Sequence, residues 1–437
     1  MSTGSLAGEL LSCVLDFISK YNFLYDQPNI KFLSSELWRR IPSDWLMYLE
    51  KLSNDELNMF PFEKPKPHCP ETLLNFHTLS NEVSYRLAAF CGTADNLLQL
   101  PGHHIVKVMR PMSAKKRHEV ENFTVFLREY CKQYNINRIV DVGCGVLARY
   151  YKVVGIDCEE ILCDRARKSC VYAEIVCLNM VKDDKEDQKL IEFFSGDQND
   201  LTAIVSLHGC GDLQPMLLRL FCKLDRKRVP LLFTIPCCYH KMSDIKQEMF
   251  QWIMSDEMKQ KSISCNVFPV SALRLASQKH ISSWSCSEKD REKHKKGFID
   301  RALLECLYDK RSGDDLISYN QFSSGKEGIS DLRPLACRKL NRHFTALKNI
   351  GSQLASRLLM DETRALKVEQ LWKEIYTNQE PYFTYVELLQ TMIQIPMEML
   401  VLLDRILFLM QYGCSADNGH LICDEEVFGK FVRKNSP

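Results

Sequence analysis

The residues whose types and spacing could support chemistry begin in residues 139–157, IVDVGCGVLARYYKVVGID. An apolar run ends in Asp141, Gly143 and Gly145 follow, and a second β-branched run ends in Asp157. A strand, a glycine turn and a second strand, with an acid at each strand's end, is how α/β sheets build nucleotide sites. The pattern therefore predicts a nucleotide-binding turn; the alternative is an ordinary strand–helix–strand connection with capping acids.

Two classes of nucleotide fit this turn. Gly143-x-Gly145-x-x-Ala148 satisfies the dinucleotide pattern, with alanine as its last member. However, Asp157 follows Gly143 by 14 positions (157 − 143) rather than about 20, and no second mononucleotide half is evident. An acid two residues before the first glycine instead suits a ligand with a cationic amino-acid end, such as S-adenosylmethionine. Asp141 would then face the methionine moiety and Asp157 the ribose.

The connection between the two strands is unusually short. Only residues 143–151 separate Val142 from Lys152, whereas a parallel crossover with its helix usually needs about a dozen residues or more. At about 1.5 Å per helical residue, what remains after the glycine turn cannot run back along a five-residue strand. We therefore expect this connection to be cramped or irregular.

A second candidate constellation is His208-Gly-Cys-Gly-Asp212, which follows an apolar run. Its two glycines free backbone groups at the end of a strand, and Asp212 is suited to capping the next helix. The functional interpretation is a wall of the substrate or cofactor pocket, with His208 as a candidate general base because histidine titrates near neutral pH. The structural interpretation is a capping turn.

The third constellation, PCCYH at residues 236–240, follows the next apolar run. Core thiols with Tyr239 and Cys238 lining a pocket are the favoured interpretation. A zinc site from His208, Cys210, Cys237 and His240 lacks the usual ligand spacing, so we predict no metal site.

Composition limits the classes of function. The 437 residues are 45% hydrophobic with a net charge of +1, which is enough for two or three cores and gives no global field toward nucleic acid or membrane. The 19 cysteines form no C-x-x-C pair, and no secretory signal is evident, so we expect reduced thiols in the cytoplasm or nucleus. Glu398, Asp404 and Arg405 interrupt the apolar residues 393–410, which favours a buried helix over a membrane span.

The elements that must position these residues follow from hydrophobic periodicity. Alternating strands and helices over the middle of the chain predict a mostly parallel sheet covered on both faces. The flanking regions are helical, with a segment at 311–334 expected to be a mobile loop. The predicted strands are 138–142, 152–157, 174–178, 201–207 and 229–235; the predicted helices nearby are 113–134, 161–172, 185–194, 216–224, 242–258 and 385–393, the last with Thr384 as its cap.

A basic cluster, Lys115, Lys116 and Arg117, lies in the first turn of the predicted helix at 113–134. The helix dipole disfavours cations at that end. A solvated basic face is one interpretation, and contact with an anionic substrate or cofactor edge is the other.

Six stretches, in this order, carry a resemblance to a known family. They are MSAKKRHEV at 112–120, VDVGCG at 140–145, VGID at 154–157, SLHGCGDL at 206–213, CCYHKM at 237–242 and LLDRILF at 402–408. They are similar to the methyltransferase-like protein 25 family, and the resemblance covers most of the chain. It implies a class I, Rossmann-like S-adenosylmethionine-dependent methyltransferase domain of about seven strands, flanked by helical regions.

The resemblance also implies an organisation and a site. Together with the hydrophobic periodicity, it predicts a helical region at 1–110, a methyltransferase-like domain at 111–285 and a helical region at 286–437. The methyl acceptor is left open between RNA, protein and a small molecule, with the basic cluster at 115–117 as a candidate contact for RNA or protein, and no membrane partner is expected. The implied cofactor residues are Asp141, Gly143, Gly145, Asp157 and Cys158, and the catalytic candidates are His208, Asp212 and Tyr239.

The chain departs from the family's pattern at the glycine turn. The family's motif continues Asp-x-Gly-x-Gly-x-Gly into a full helix, whereas here the seventh position is Leu147. The helix is short by roughly two turns, on the order of eight residues at 3.6 per turn. The expected function is therefore a methyltransferase with weakened cofactor binding, and the alternative is a catalytically inactive methyltransferase-like binding protein.

Overall fold

The computed structural model describes most of the predicted α/β region and parts of the flanking helical regions. It describes residues 3–91, 114–143, 151–169, 173–180, 187–236, 238–242, 252–262, 272–277 and 362–414, with Phe298 and Ala302. The predicted loop at 311–334, Gly145 and Leu147 lie outside these residues.

Five parallel strands form one sheet in the order β3-β2-β1-β4-β5. The predicted strands are confirmed to within two residues at each end, because each is an apolar run bounded by polar or turn residues. The strands are β1 (Arg138–Val142), β2 (Lys152–Asp157), β3 (Ala173–Cys177), β4 (Thr202–Ser206) and β5 (Leu231–Thr234).

The expected count of about seven strands is wrong for the described residues, whose sheet has five. After β5 the chain enters a 3-10 turn, Tyr239–Lys241. The next described segments, 252–262 and 272–277, contain helices and turns and add no strand to the sheet. The architecture is nevertheless a parallel, Rossmann-like α/β sheet.

Helices cover the sheet and make up most of the described flanking regions. The predicted helix at 113–134 is confirmed, since Ala114–Gln133 is helical and carries the basic cluster at 115–117 in its first turn. The helices are α1 (Thr3–Lys20), α2 (Ser43–Leu49), α3 (Asn54–Met59), α4 (Glu71–Cys91), α5 (Ala114–Gln133), α6 (Glu160–Ser169), α7 (Asp187–Ser195), α8 (Leu213–Lys223), α9 (Asp256–Ser262), α10 (Leu273–Ala276) and α11 (Glu362–Gln411).

Two of the predicted helices are corrected. Residues 253–255 are not helical, and α9 begins only at Asp256. Thr384 is not a cap, because α11 runs without interruption from Glu362 to Gln411. The prediction of a buried helix at 393–410 is confirmed by the burial of nearly all its side chains. None of the described helices combines the length and the hydropathy that a transmembrane span requires.

The sheet is covered by apolar side chains on both faces. On one face, Phe123, Leu127 and Cys131 of α5 pack against Ile139 and its strand neighbours. On the other, Phe194 of α7 and residues of α8 pack against Val140 and Ile204. Burial on both faces explains why the strands are continuous apolar runs rather than alternating ones.

By internal contacts the chain divides into two compact units. The first comprises Met1–Ser19, Glu82–Gln278 and Ile395–Pro437, and it contains the sheet; the second comprises Lys20–Asn81 and Lys279–Gln394. In the second unit, Trp45 and Phe76 lie in an aromatic cluster with Tyr21. The domain boundaries at residues 110 and 285 remain a prediction.

The register of β1 against β2 sharpens the argument about the short crossover. Arg138 pairs with Lys152 and Val142 with Ile156, so the strands run side by side from their first residues. Residues 143–151 must therefore return along the whole of β1, a distance of roughly 16 Å for five residues. A helix of nine residues is only about 13 Å long before any turn is subtracted. The structure of residues 144–150 lies outside the described part.

Candidate functional site

The predicted site residues follow strands that end at one edge of the sheet. In a parallel sheet all carboxyl ends share an edge, and the order here places β2, β1, β4 and β5 next to one another. From β1 the chain leads to β2 on one side, and β4 lies on the other. The gap between β1 and β4 is thus a topological switch point, where such sheets bind ligands.

Asp141 lies in the middle strand and is buried, with 4% of its surface exposed. Its register neighbours are Gly155 on β2 and Val205 on β4. Gly155 places no side chain beside the Asp141 carboxylate in register. Asp141 is thus a buried polar residue within the apolar β1 strand.

Gly143 follows the end of β1 and begins the glycine turn. Its φ of +106° is a conformation that side chains rarely adopt, and a Cβ built there would meet no atom of the described residues within 4 Å. Its amide donates to the carbonyl of Ile156 at 2.8 Å, so the turn starts while still joined to β2. The glycine is required for its backbone conformation, and the space beside it is available.

Asp157 ends β2 and is half-buried. Its Oδ1 accepts a hydrogen bond from the amide of Glu159 at 3.0 Å, which caps the entry to α6. A carboxylate has about four acceptor positions, so this bond leaves capacity for ribose hydroxyls. Cys158, next in the chain, is exposed.

The two acids lie on the same face of neighbouring strands. Asp141 pairs with Gly155, two residues before Asp157, and residues two apart on a strand share a face. With strands about 4.8 Å apart and about 3.3 Å of rise per residue, their Cα atoms are roughly 8 Å apart. The sequence therefore predicted correctly that the two strands are neighbours ending in acids at one edge.

The loop after β4 is fixed against the segment after β5. The amide of Gly209 donates to the carbonyl of Ile235 at 3.1 Å. Gly211 has a φ of +59°, and a Cβ there would lie 2.8 Å from the carbonyl oxygen of Lys241. His208, at the start of this loop, is exposed. The loop thus presents His208 on a backbone that two glycines hold in place.

Replacing Gly211 with alanine is expected to destabilise this edge of the sheet by about 1–3 kcal/mol, the usual cost of a strained backbone position. The variant would have to keep the positive φ, which alanine disfavours, and its methyl group would lie too close to the Lys241 carbonyl oxygen. Thermal unfolding of the purified variant, with Gly413→Ala as a control of the same backbone type but with no contact under 3.9 Å, measures the difference. Equal melting temperatures would show that the close approach to Lys241 carries no cost.

Asp212 occupies the N-cap position of α8, but its side chain makes no capping hydrogen bond there. The expectation that it caps α8 is therefore wrong. Its φ of −74° and ψ of −9° are helical rather than the extended values of a typical cap. Its carboxylate is half-buried and has a partner other than the helix amides.

Tyr239 is only 3% exposed. Its hydroxyl donates to Glu398 of α11 at 3.0 Å, and its amide donates to Ser277 Oγ at 3.1 Å. Burial, with Arg274 and Lys241 nearby, lowers the pKa of the neighbouring His240. These contacts join the segment after β5 to two helices and favour a positioning role for Tyr239.

Sequence reasoning missed two hydroxyl groups at this edge. Ser206 and Thr234 end β4 and β5, pair in register and lie around Gly209. Both hydroxyl oxygens are buried without a hydrogen-bond partner among the described residues. A buried polar group without a partner is costly. A serine and a threonine as the last residues of adjacent strands are the signal that would have found them.

The zinc set considered above is only partly described, because Cys237 lies outside the described residues. Among the residues that are described, His208, Cys210 and His240 do not form a group of potential metal ligands. A cavity of about 420 Å³ lies elsewhere, bordered by α8, α9 and the end of α11, and none of its lining residues belongs to the predicted site.

Comparison with known protein families supports a class of protein. Residues 115–245 match a family model described as a methyltransferase domain. The matched segment contains all five strands of the sheet and the loops that carry His208 and Tyr239. Together with the parallel sheet, the match supports a methyltransferase, and hence a transferase. No solved structure matches the chain.

Proposed function

We propose that this chain is an S-adenosylmethionine-dependent methyltransferase of the methyltransferase-like protein 25 type. The observation that carries the proposal is the pair of acids, Asp141 and Asp157, on one face of neighbouring strands at the carboxyl edge. The match of residues 115–245 to a methyltransferase domain supports the same class of reaction.

The residues present fit the cofactor in two respects. Open space lies beside Gly143, and Asp157 keeps acceptor capacity after capping α6. We assign Asp141 to the cationic amino-acid end, Asp157 to the ribose hydroxyls, and Gly143, Gly145 and Cys158 to the backbone around them. S-adenosylmethionine, when bound, supplies an electrophilic methyl group on a sulfonium.

The acceptor side is assigned to the loops after β4 and β5. We propose that His208, which is exposed at the switch point, takes a proton from the acceptor. Asp212 and Tyr239 position the two loops, the latter through its buried hydroxyl bond to Glu398. Methyl transfer depends mainly on the alignment of acceptor and methyl group, so the shape of this edge matters more than any one base.

The shortened crossover favours weak cofactor binding. In this class of site the segment after the glycine turn supplies backbone groups to the ligand, and the register of β1 with β2 leaves residues 143–151 little length for a helix. The second candidate function is therefore a catalytically inactive methyltransferase-like protein that acts by binding.

Calorimetric titration with S-adenosylmethionine separates the two. We expect the chain to bind with a Kd weaker than micromolar, and a variant with the crossover extended by about eight residues of helix to bind at least tenfold more tightly. Micromolar binding by the unmodified chain would refute the weakening, and no binding by either version would refute the cofactor assignment.

The acceptor remains a proposal between RNA, protein and a small molecule, the first two contacted through the basic cluster at 115–117, and the compartment remains a proposal between cytoplasm and nucleus. Cell extract incubated with tritiated cofactor and either version of the chain identifies the acceptor by sensitivity of the label to ribonuclease or to protease.

A further inference from the structure

Two thiols and a carboxylate come together on the far side of β2 from the switch point. Glu160, Cys163 and Cys177 each offer one ligand atom, and these atoms all lie within 4.8 Å of one another. The first and last of them are 17 positions apart in the chain (177 − 160), and the three match no familiar metal-binding motif. Only the fold brings them together.

The local structure explains the grouping. Glu160 and Cys163 are three residues apart on α6, so their side chains lie on one face of the helix. Helix α6 packs against β2 and β3. Cys177 is the last residue of β3 and the register partner of Asp157. The helix therefore lays its Glu-x-x-Cys face over the strand end that carries the second thiol.

We propose that Glu160, Cys163 and Cys177 bind a zinc ion, with the fourth coordination position left to water. Cysteine sulfur and glutamate oxygen are established zinc ligands, and three protein ligands with one open position are a known arrangement. Ligand atoms around tetrahedral zinc lie roughly 3.5–3.8 Å apart. The cluster must close by about 1 Å, which side-chain rotation of Glu160 and Cys177 allows because both are exposed.

In the metal-free cluster the Cys163 thiol makes only long hydrogen bonds, which an ion can replace. The Cys163 thiol donates to the carbonyl oxygens of Asp157 at 3.6 Å and Val176 at 3.8 Å. A hydrogen bond to Glu160, with smaller contributions from desolvation and from Cys163, raises the pKa of Cys177 to about 12, so zinc must displace this proton to bind. Zinc binding releases one proton from each thiol, so that Zn²⁺, two thiols and the Glu160 carboxylate give a centre of net charge −1 and two protons.

Arg167 is the competitor for the third ligand. Its NH1 group donates to Glu160 Oε1 at 2.6 Å and to Asp164 at 2.8 Å. This contact is exposed, and water and salt screen an exposed ion pair, so it competes only weakly for the carboxylate. Glu160 has a second carboxylate oxygen, so it can bind the ion while keeping the arginine.

The position of the site links it to the end of β2. Cys163 already contacts the Asp157 carbonyl, and an ion held by Cys163 and Cys177 would fix the turn at residues 157–160 from both sides. The inference does not rest on the proposed cofactor, because the ion binds residues that the cofactor assignment does not use.

Titration of the reduced full-length protein with zinc and with cobalt(II) tests the proposal. We expect a thiolate-to-cobalt absorption band. We expect Cys177→Ser to lower the bound metal by one equivalent. Its affinity at this site should fall at least about 100-fold, because losing a direct ligand costs at least as much as losing a group that supports one. Glu160→Gln should weaken it at least about tenfold. Equal stoichiometry and affinity in wild type and Cys177→Ser would overturn the proposal.

Cys222→Ser is the matched control. The thiols of Cys222 and Cys414 are free and share a hydrogen bond. Arg226 donates to Cys414, so these two thiols have a cation beside them where the proposed site has a carboxylate. Replacing Cys222 should leave zinc binding unchanged. Loss of the cobalt band in Cys222→Ser but not in Cys177→Ser would assign the metal to Cys222 and Cys414 and refute the proposal.

A measurement on the unmodified protein covers the case of a variant that fails to fold. Alkylation with iodoacetamide, mapped by mass spectrometry, should be slowed at Cys177 at least about tenfold by one equivalent of zinc, while exposed Cys158 reacts at an unchanged rate. Equal alkylation of Cys177 with and without zinc means that these residues do not form a zinc site.

Discussion

Replacing Asp404 with asparagine is expected to destabilise the protein by about 3–5 kcal/mol, the cost of leaving a buried charge without its partner. Asp404 is fully buried in α11, and Arg405 beside it is 3% exposed. The carboxylate accepts from the amides of Met254 and Ser255 and from Ser255 Oγ, at 2.8–3.2 Å. It also accepts from Arg405.

The loss of stability should be largest in the segment after β5 that contacts α11. Arg405 donates to the Trp252 carbonyl and to the Met242 sulfur. The ion pair therefore joins α11 to the chain at residue 242 and again at residue 252. An asparagine amide would put its NH2 group against backbone donors and leave the Arg405 charge uncompensated. Hydrogen exchange at residues 252–258, together with the melting temperature, measures the effect.

Asp256→Asn provides the control for Asp404→Asn. Asp256 is a carboxylate one residue after Ser255, but it is exposed, and its ion pair with Lys259 is exposed too. Its replacement should change stability by no more than about 0.5 kcal/mol. If the two variants unfold at the same temperature, the buried pair does not stabilise the segment.

Replacing Asp157 with alanine is expected to reduce cofactor binding by about 10- to 100-fold. The proposed carboxylate bonds to the ribose hydroxyls involve a charged acceptor, and such bonds contribute about 1.5–3 kcal/mol each. Photocrosslinking to labelled S-adenosylmethionine, at cofactor concentrations below saturation, measures the change even when binding is weak.

Two further variants separate ribose binding from folding. Asp157→Asn keeps an oxygen for the Glu159 amide but loses the charge, so it should retain the cap and bind at an intermediate level. Glu159→Gln changes an exposed acid in the same turn and should bind as the wild type does. Wild-type crosslinking by Asp157→Ala would remove this residue from the site.

The parts of the fold that sequence predicted best are those whose information is local. The runs before Asp141 and Asp157 are apolar throughout because both faces of the sheet are covered, and their boundaries are marked by turn residues. The count of about seven strands came from the resemblance rather than from such runs, and the sheet of the described residues has five.

The helical regions were harder to predict because their bounds depend on contacts that are not local in the sequence. Thr384 has the chemistry of a cap, but α11 continues through it because tertiary burial on both sides of that residue outweighs local preference. The interrupting charges of the apolar segment at 393–410 correctly predicted a buried helix. Sequence could not show what else Glu398, Asp404 and Arg405 contact, since their partners other than the Asp404–Arg405 pair itself are 149 to 163 residues away.

By itself, the sequence determined the α/β class, the parallel pairing of two strands ending in acids, and the short connection between them, because each follows from spacing along the chain. Tertiary structure alone decided that Tyr239 is buried against Glu398, that Gly211 is pressed against Lys241, and that Cys163 and Cys177 meet beneath one helix. Those contacts join residues through the packing of separate elements, and the order of residues along a chain does not encode such distances directly.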